Sequence, residues 1–296
     1  RNLARWTIAA SETLDVDQAD RTRWQALLTR LVPYPVNRKS GLMVQPNVEY
    51  DRSHRHPMHL FPIFPGEDLT LEGTSQDRAL IQASINNWIF RGLGEWSGHA
   101  YMNSVPIAAR LGRGNMAANF LDIYARAFIL PNGFHVNGDY KRLGFSIHAG
   151  TPYTVEAECA FPAVVNEMLL QSWGGKLRVF PAVPDQWRDI SFENLRAEGA
   201  LLVSAEMRAG RVTRLSILSE KGGTVRLMWP PGPQAANTRI EERSIEFRPG
   251  ERKETTMIPV VRKKQMQSLD AYMMEQMRIP SRVLMENAAF GITSVV

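Results

Sequence analysis

The apolar residues of this chain change their period once. From residue 1 to about 175 they recur at helical spacing, and after Trp173-Gly174-Gly175 they recur every second residue. Helices and strands bury different faces, so a single switch of period commits the chain to a helical part followed by a sheet part. In Trp24-Gln-Ala-Leu27-Leu28-Thr-Arg-Leu31 the apolar positions fall at i, i+3, i+4 and i+7, one helix face, and Pro33 and Pro35 end it. A second helix is expected after Thr74-Ser-Gln-Asp77, with Leu80, Ile81, Ile85, Trp88 and Ile89 inward. Further helices are expected over about 101–111, 116–129 and 158–172, the last carrying Phe161, Val164, Val165, Met168 and Leu169. The loops between them are rich in His, Gly, Pro and Trp, and long ordered loops are where binding and catalysis concentrate.

Beyond the switch, alternation marks strands over 176–180, 199–207, 212–218 and 224–229, with a last one ending at Ile245-Glu-Phe-Arg-Pro-Gly250. Turns at Ala209-Gly210 and Gly222-Gly223 separate them, and Pro230-Pro231-Gly232-Pro233 interrupts the series. Short strands in this rhythm predict a small antiparallel β-sandwich. From about 257 the pattern becomes helical again, amphipathic over 264–277 with a new start at Ile279-Pro280-Ser281. The expected class is therefore α+β and multidomain, divided as 1–175, 176–256 and 257–296.

Composition removes several alternatives. With 296 residues, 44% hydrophobic and 22% charged, the chain has the makeup of a soluble globular protein. No apolar run is long enough to span a bilayer, so no membrane partner is expected. The lone Cys159 excludes an internal disulfide framework and a cysteine zinc cluster. A net charge of +5 is scattered rather than gathered in a stripe, which speaks against a nucleic-acid partner. The chain opens at Arg1 without a signal-peptide pattern, although one could lie upstream in a longer parent.

Chemistry is concentrated in three segments. All six histidines fall between 54 and 148, and three stand in His54-Arg55-His56-Pro57-Met58-His59. That cluster fits a metal site, a set of hydrogen-bonded core imidazoles, or, the reading preferred here, directed donors for a hydroxyl-rich or anionic ligand. Gly94-Glu95-Trp96-Ser97-Gly98-His99 either stacks a flat polar ligand on Trp96 or is a helix start capped by Ser97 with Trp96 in the core. Tyr153-Thr-Val-Glu156-Ala-Glu158-Cys159 sets two carboxylates before an apolar helix, where the helix dipole alone would favour them or where one serves as a general base.

A resemblance narrows these readings. His54-Arg-His-Pro-Met-His-Leu-Phe-Pro-Ile-Phe-Pro-Gly66 resembles the His-Arg-His-x-x-His-Leu…Phe-Pro-Gly signature of the glycoside hydrolase family 95 α-L-fucosidases. Trp24…Leu31-Val-Pro-Tyr34 before it, Trp96-Ser97…Ala108-Ala-Arg-Leu111-Gly-Arg-Gly114 after it, and Glu167-Met-Leu-Leu-Gln-Ser172…Pro181-Ala-Val-Pro184 are similar to family segments in family order. The resemblance implies an (α/α)6 barrel, here its C-terminal half, followed by a β-sandwich. It implies hydrolysis of terminal α-linked L-fucose, or L-galactose, in a glycan, with inversion, no metal and no cofactor. Such enzymes are usually extracytoplasmic.

Carried over residue by residue, the resemblance makes Arg55 and His56 the sugar-contacting pair, with His59, Trp96 and His99 around the sugar. The family's base-side aspartate, eleven residues before Glu167, falls on Glu156. The side chain is one methylene longer, the family's Gly-Asn has become Ala157-Glu158, and the signature's usual Ser is Met58. The family's general acid lies well upstream of the signature, and only 53 residues precede His54, so the chain is expected to be inactive alone. A non-catalytic carbohydrate-binding relic of the fold is the alternative. The tail, Met257-Ile-Pro-Val-Val…Ile279-Pro280-Ser-Arg-Val-Leu284-Met-Glu-Asn-Ala288, looks like the opening of an NAD(P)H-hydrate epimerase domain, which adds a fused epimerase as a third reading.

Overall fold

The computed structural model of the protein describes residues 1–229 and 241–256. The Pro230–Pro233 interruption and the tail from 257, with its epimerase-like segment, lie outside the described residues. Among those described, six α-helices precede the main sheets: α1 (Asn2–Leu14), α2 (Gln18–Arg30), α3 (Ser75–Phe90), α4 (Gly98–Arg110), α5 (Gly114–Ala127) and α6 (Val155–Leu169). Two short paired strands, β1 (Val36–Asn37) and β2 (Gly41–Leu42), and a 3₁₀ turn at Met58–Leu60 lie between α2 and α3.

α3 starts where the sequence places it because Thr74 and Asp77 cap it reciprocally. Thr74 Oγ1 accepts the Asp77 N–H at 3.1 Å, and Asp77 Oδ2 accepts the Thr74 N–H at 2.8 Å. Ile81, Ile85 and Trp88 are buried as expected, but Ile89 is 37% exposed. Ile89 follows Trp88 directly, and each helical residue rotates about 100° from the last, which carries it off the buried face. α4 is the central helix, buried along almost its whole length from Ala100 to Ala109 and packed against α5 and α6. Trp88, Trp96, Tyr101 and Phe120 meet around it, with the two indoles stacked at 4.8 Å.

α1 had no counterpart in the apolar pattern, and its Leu3, Trp6 and Leu14 are exposed. α2 does carry the expected spacing, yet none of its residues is buried, and it packs on α1. A period specifies which residues share a face but not what covers that face. α6 opens at Val155, ahead of the apolar run, because its first turn is polar. It stops at Leu169, and residues 170–172, expected to be helical, form β3 instead. Phe161, expected inward, is exposed, while Val164 and Met168 are buried.

The strands are β3 (Leu170–Trp173), β4 (Lys176–Val179), β5 (Ile190–Ala197), β6 (Leu201–Arg208), β7 (Arg211–Ser219), β8 (Gly223–Trp229), β9 (Glu241–Phe247) and β10 (Glu251–Thr256). They make two four-stranded sheets, ordered β10-β7-β6-β5 and β3-β4-β8-β9. Within the expected antiparallel arrangement, β4 and β8 run parallel. The chain leaves β4, builds β5, β6 and β7 in the other sheet, and returns in the same direction, which no tight hairpin could do. β5 escaped the period-2 reading because a bulge between Phe192 and Leu195, with Asn194 at φ 53°, breaks its alternation. β10 escaped it because Glu-Arg-Lys-Glu-Thr-Thr has no apolar residue to alternate.

Residues 1–255 form one compact unit, and the joint between helices and sheets is a layered charge–aromatic contact. The Arg110 and Arg178 guanidinium carbons lie 4.7 and 3.6 Å from the centroid of the Trp173 ring system. Arg110 is ion-paired with Glu167, and Arg178 donates from Nε to Glu72 at 2.9 Å. Gln171 Nε2 on β3 donates to the Ala109 carbonyl at the end of α4 at 3.1 Å.

Candidate active site

The segment between α5 and α6 draws the N-terminal ends of α4 and α6 together. The Asn137 carbonyl accepts the Gly98 N–H at 3.3 Å, Asn137 Oδ1 accepts the His99 N–H at 3.1 Å, and the Asn137 N–H donates to the Pro152 carbonyl at 3.0 Å. Between those two anchors the chain folds on a buried acid. The Asp139 carboxylate accepts the N–H groups of Leu143, Gly144 and Phe145 at 2.9–3.1 Å, and the Asp139 N–H donates to His148 O at 2.7 Å. The strands of the loop touch so closely that a Cβ on Gly138 would stand 2.1 Å from the Gly150 carbonyl oxygen. The result is a cavity of about 460 Å³ walled by Arg55, Ser97, Asn137, Gly138, His148 and Gly150.

Behind this wall sits His135, fully buried, its ring stacked on Tyr124 at 5.4 Å. A Cβ on Gly98 would meet the His135 ring at 2.4 Å, so the start of α4 accepts only glycine there. Burial lowers the His135 pKa and His99 pushes it the same way, while the charges of Glu158 and Glu156 oppose them. The imidazole is therefore neutral near pH 7. Burial and the nearby Glu158 charge raise the Tyr124 pKa, so its phenol keeps its proton. Several buried polar atoms of this region have no hydrogen-bond partner among the described residues: Ser97 Oγ, His99 Nδ1, both His135 ring nitrogens, His148 Nε2, Tyr124 OH and Thr154 Oγ1. Unpaired buried polar atoms are rare in folded proteins, and gathered in one region they fit a polar, hydroxyl-bearing ligand.

Arg55, His56 and His99, three of the residues expected at a site, come into one electrostatic neighbourhood. The His56 pKa is lowered first by burial and then by the positive fields of Arg55, His54 and His99. Arg55 faces the large cavity, while His56 lines an adjoining one of about 230 Å³ with Tyr50, His54 and His59. His99 is held from the side by Asn103, 3.0 Å from its Nε2. Glu156 stands exposed in the first turn of α6, where the helix dipole favours its negative charge. It does not line the large cavity, but its charge reaches His135. Glu158, beside it, accepts a hydrogen bond from the Tyr153 hydroxyl at 3.1 Å.

Trp96 and His59 are elsewhere. Trp96 is 1% exposed with Trp88, Tyr101 and Phe120 around it, so it offers no face to a sugar, and the expected stacking platform is corrected to a core residue. The local hydrophobic demand of α3, α4 and α5 outweighed the glycine-flanked loop motif. His59 is 7% exposed and stacked on Tyr50 at 4.2 Å, and among the described residues neither ring nitrogen has a partner. Burial pushes its pKa down to about 4 from 6.5. Among the described residues, no group of three or more His, Cys, Asp and Glu stands together as a metal ligand set.

The His59 shift has a pH consequence. The folded state holds the imidazole neutral while the unfolded chain protonates it, so stability is full above pH 6.5 and declines as pH falls towards 4. The loss is expected to reach about 2 kcal/mol by pH 5. Urea unfolding at pH 8 and pH 5 checks this: His59→Phe should reduce the pH dependence by that amount, and an undiminished slope would assign it to other groups.

His135, Asn137 and His148 were not singled out by motif reasoning, and Ser97 was read there as a helix cap. The one signal that reached two of them was the crowding of every histidine into residues 54–148.

Comparison with known proteins identifies the lineage of this arrangement. The family model described as Glycosyl hydrolase family 95 catalytic domain matches residues 1–169. The chain belongs to glycoside hydrolase family 95. The model described as Glycoside hydrolase family 95, C-terminal domain follows directly over residues 171–266. A curated relative, Alpha-L-fucosidase 2 of Arabidopsis thaliana, is 29% identical over 178 residues, which cover 60% of this chain and 20% of that protein. The chain thus spans about a fifth of that relative's length. These matches lend no support to an epimerase tail, and the family 95 C-terminal match takes in the first part of that segment.

Proposed function

We propose that this chain carries the base side and the sugar-holding wall of a glycosidase that removes terminal α-linked L-fucose, or the related L-galactose, from glycans with inversion. Membership of family 95 and the relative's name support the reaction class. The observation that carries the site is the juxtaposition of the acidic first turn of α6 with neutral His135 and a cluster of unpaired buried polar atoms, behind a cavity wall that includes Arg55. In this reading Glu156 takes a proton from water as the water attacks the anomeric carbon. Arg55, His56 and His99 hold sugar hydroxyls, and His148 joins them from the loop.

An inverting reaction also needs an acid on the leaving group, across the sugar from the base. Among the described residues lining the large cavity none is a carboxylate. The helices are taken as part of an (α/α)6 barrel over residues 1–175 and the sheets as its C-terminal sandwich over 176–256. Glycan substrates suit an extracytoplasmic setting, and no described helix is long and apolar enough to cross a membrane.

The test is hydrolysis of aryl α-L-fucosides and α-L-galactosides by this chain within a full-length catalytic domain, with the first-formed anomer read by NMR. Initial release of the β-anomer is expected. Initial release of the α-anomer would overturn inversion. Sugar binding without release at any pH would favour the carbohydrate-binding relic, which the exchange of the family's Asp-Gly-Asn for Glu156-Ala157-Glu158 already motivates.

A further inference from the structure

Ser97 occupies the N-cap position of α4, where a serine hydroxyl ordinarily accepts an N–H from the first turn. Here it accepts none. Two of the first-turn N–H groups, those of Gly98 and His99, are taken by the carbonyl and the side-chain oxygen of Asn137, a residue from the far side of α5. The helix start is capped by a surrogate. The displaced hydroxyl is not released to solvent: Ser97 is 3% exposed, its Oγ is buried with no partner among the described residues, and Ser97 is one of the residues walling the large cavity together with Arg55 and His148. A buried hydroxyl without a partner is unfavourable unless something in the cavity completes it. The same capture of N–H groups makes this helix end a poor anion site, because its first donors are already used.

We propose that Ser97 is a ligand-contacting residue that exchanges a hydrogen bond with a sugar hydroxyl, and that Asn137 is the positioning residue that keeps it available by capping α4 in its place. The proposal rests on the glycosidase reading for the nature of the ligand, but its capping half stands independently. The pair makes the hydroxyl pattern of the bound sugar a matter of α4 and the Asn137–Pro152 loop together. Substrate selection then depends on a contact that neither segment provides alone.

Two measurements on the full chain test it. In thermal unfolding, Ser97→Ala should leave Tm unchanged or slightly raised, whereas Asn137→Ala should lower it by about 2–4 °C, the size of a lost cap in a chain of this class. Asn137→Asp, which keeps the accepting oxygen, should restore it. In calorimetric titration with methyl α-L-fucoside, Ser97→Ala should bind about three- to tenfold more weakly than the unaltered chain. A cap-sized fall in Tm for Ser97→Ala would overturn the surrogate cap. Equal fucoside affinity in Ser97→Ala and the unaltered chain would overturn the ligand contact alone. If a full-length catalytic domain containing the unaltered chain binds no fucoside, the glycosidase reading fails and the ligand contact with it, while the melting data still decide the cap.

Discussion

Glu156→Gln is expected to lower kcat for aryl α-L-fucoside hydrolysis by about 10²- to 10⁴-fold while leaving KM nearly unchanged, the signature of a lost general base. Glutamine keeps the size and hydrogen-bonding shape of the side chain but cannot take a proton. The expectation is specific to this position. Glu158 lies in the same turn of α6, but its carboxylate already accepts the Tyr153 hydroxyl, and its charge acts on Tyr124 and His135 inside the wall. Glu158→Gln should therefore disturb binding more than turnover. Steady-state kinetics of both variants in a full-length catalytic domain separate the two, and a collapse of kcat in Glu158→Gln with Glu156→Gln active would transfer the role of base to Glu158.

The largest stability effect is expected at the joint between helices and sheets. Arg110→Ala should cost about 3–5 kcal/mol, because removing one member of a buried pair leaves the other charged and uncompensated. Glu167 is the partner left behind, and burial raises its pKa even with Arg110 beside it. The truncation also removes the guanidinium that packs over Trp173 and Phe64. Arg110→Met, which restores the volume but not the charge, should recover part of the packing and none of the ion pair. Denaturant unfolding of Arg110→Ala, Glu167→Ala and the double variant measures the coupling, and a double variant no better than the sum of the singles would show that the pair is not the source of the loss.

Local chemistry explains what could be read in advance. α3 was legible because a capping box, an apolar stripe and the length of the run agree. β6, β7 and β8 were legible because their alternation is bounded by turns at Ala209-Gly210 and Gly222-Gly223, all four residues having positive φ. β3 was not, because Leu170-Gln-Ser-Trp173 continues the apolar count of α6, and only pairing with β4 makes it extended. At the site, Arg55, His56, His99 and the acidic turn were visible as residue types. The backbone of Asn137, the burial of Trp96 and the inward turn of His59 depend on contacts between distant segments, which neither period nor motif encodes.

The two ends of the Asn137–Pro152 segment meet in a backbone hydrogen bond, and its interior is held by its own buried aspartate, by the Ile147 N–H on the Gly94 carbonyl at 2.8 Å and by the Tyr101 hydroxyl on the Phe145 carbonyl at 3.0 Å. Such a segment is an Ω-loop in the strict sense, a folded excursion whose ends meet. Closing a longer loop between the same two ends carries only a small entropic penalty. The wall facing the ligand can therefore be exchanged as a cassette, lengthened or recoded between fixed endpoints while α4, α5 and α6 stay as they are. New sugar preferences could arise on this scaffold by replacing one piece, with no need to redesign the helices that carry it.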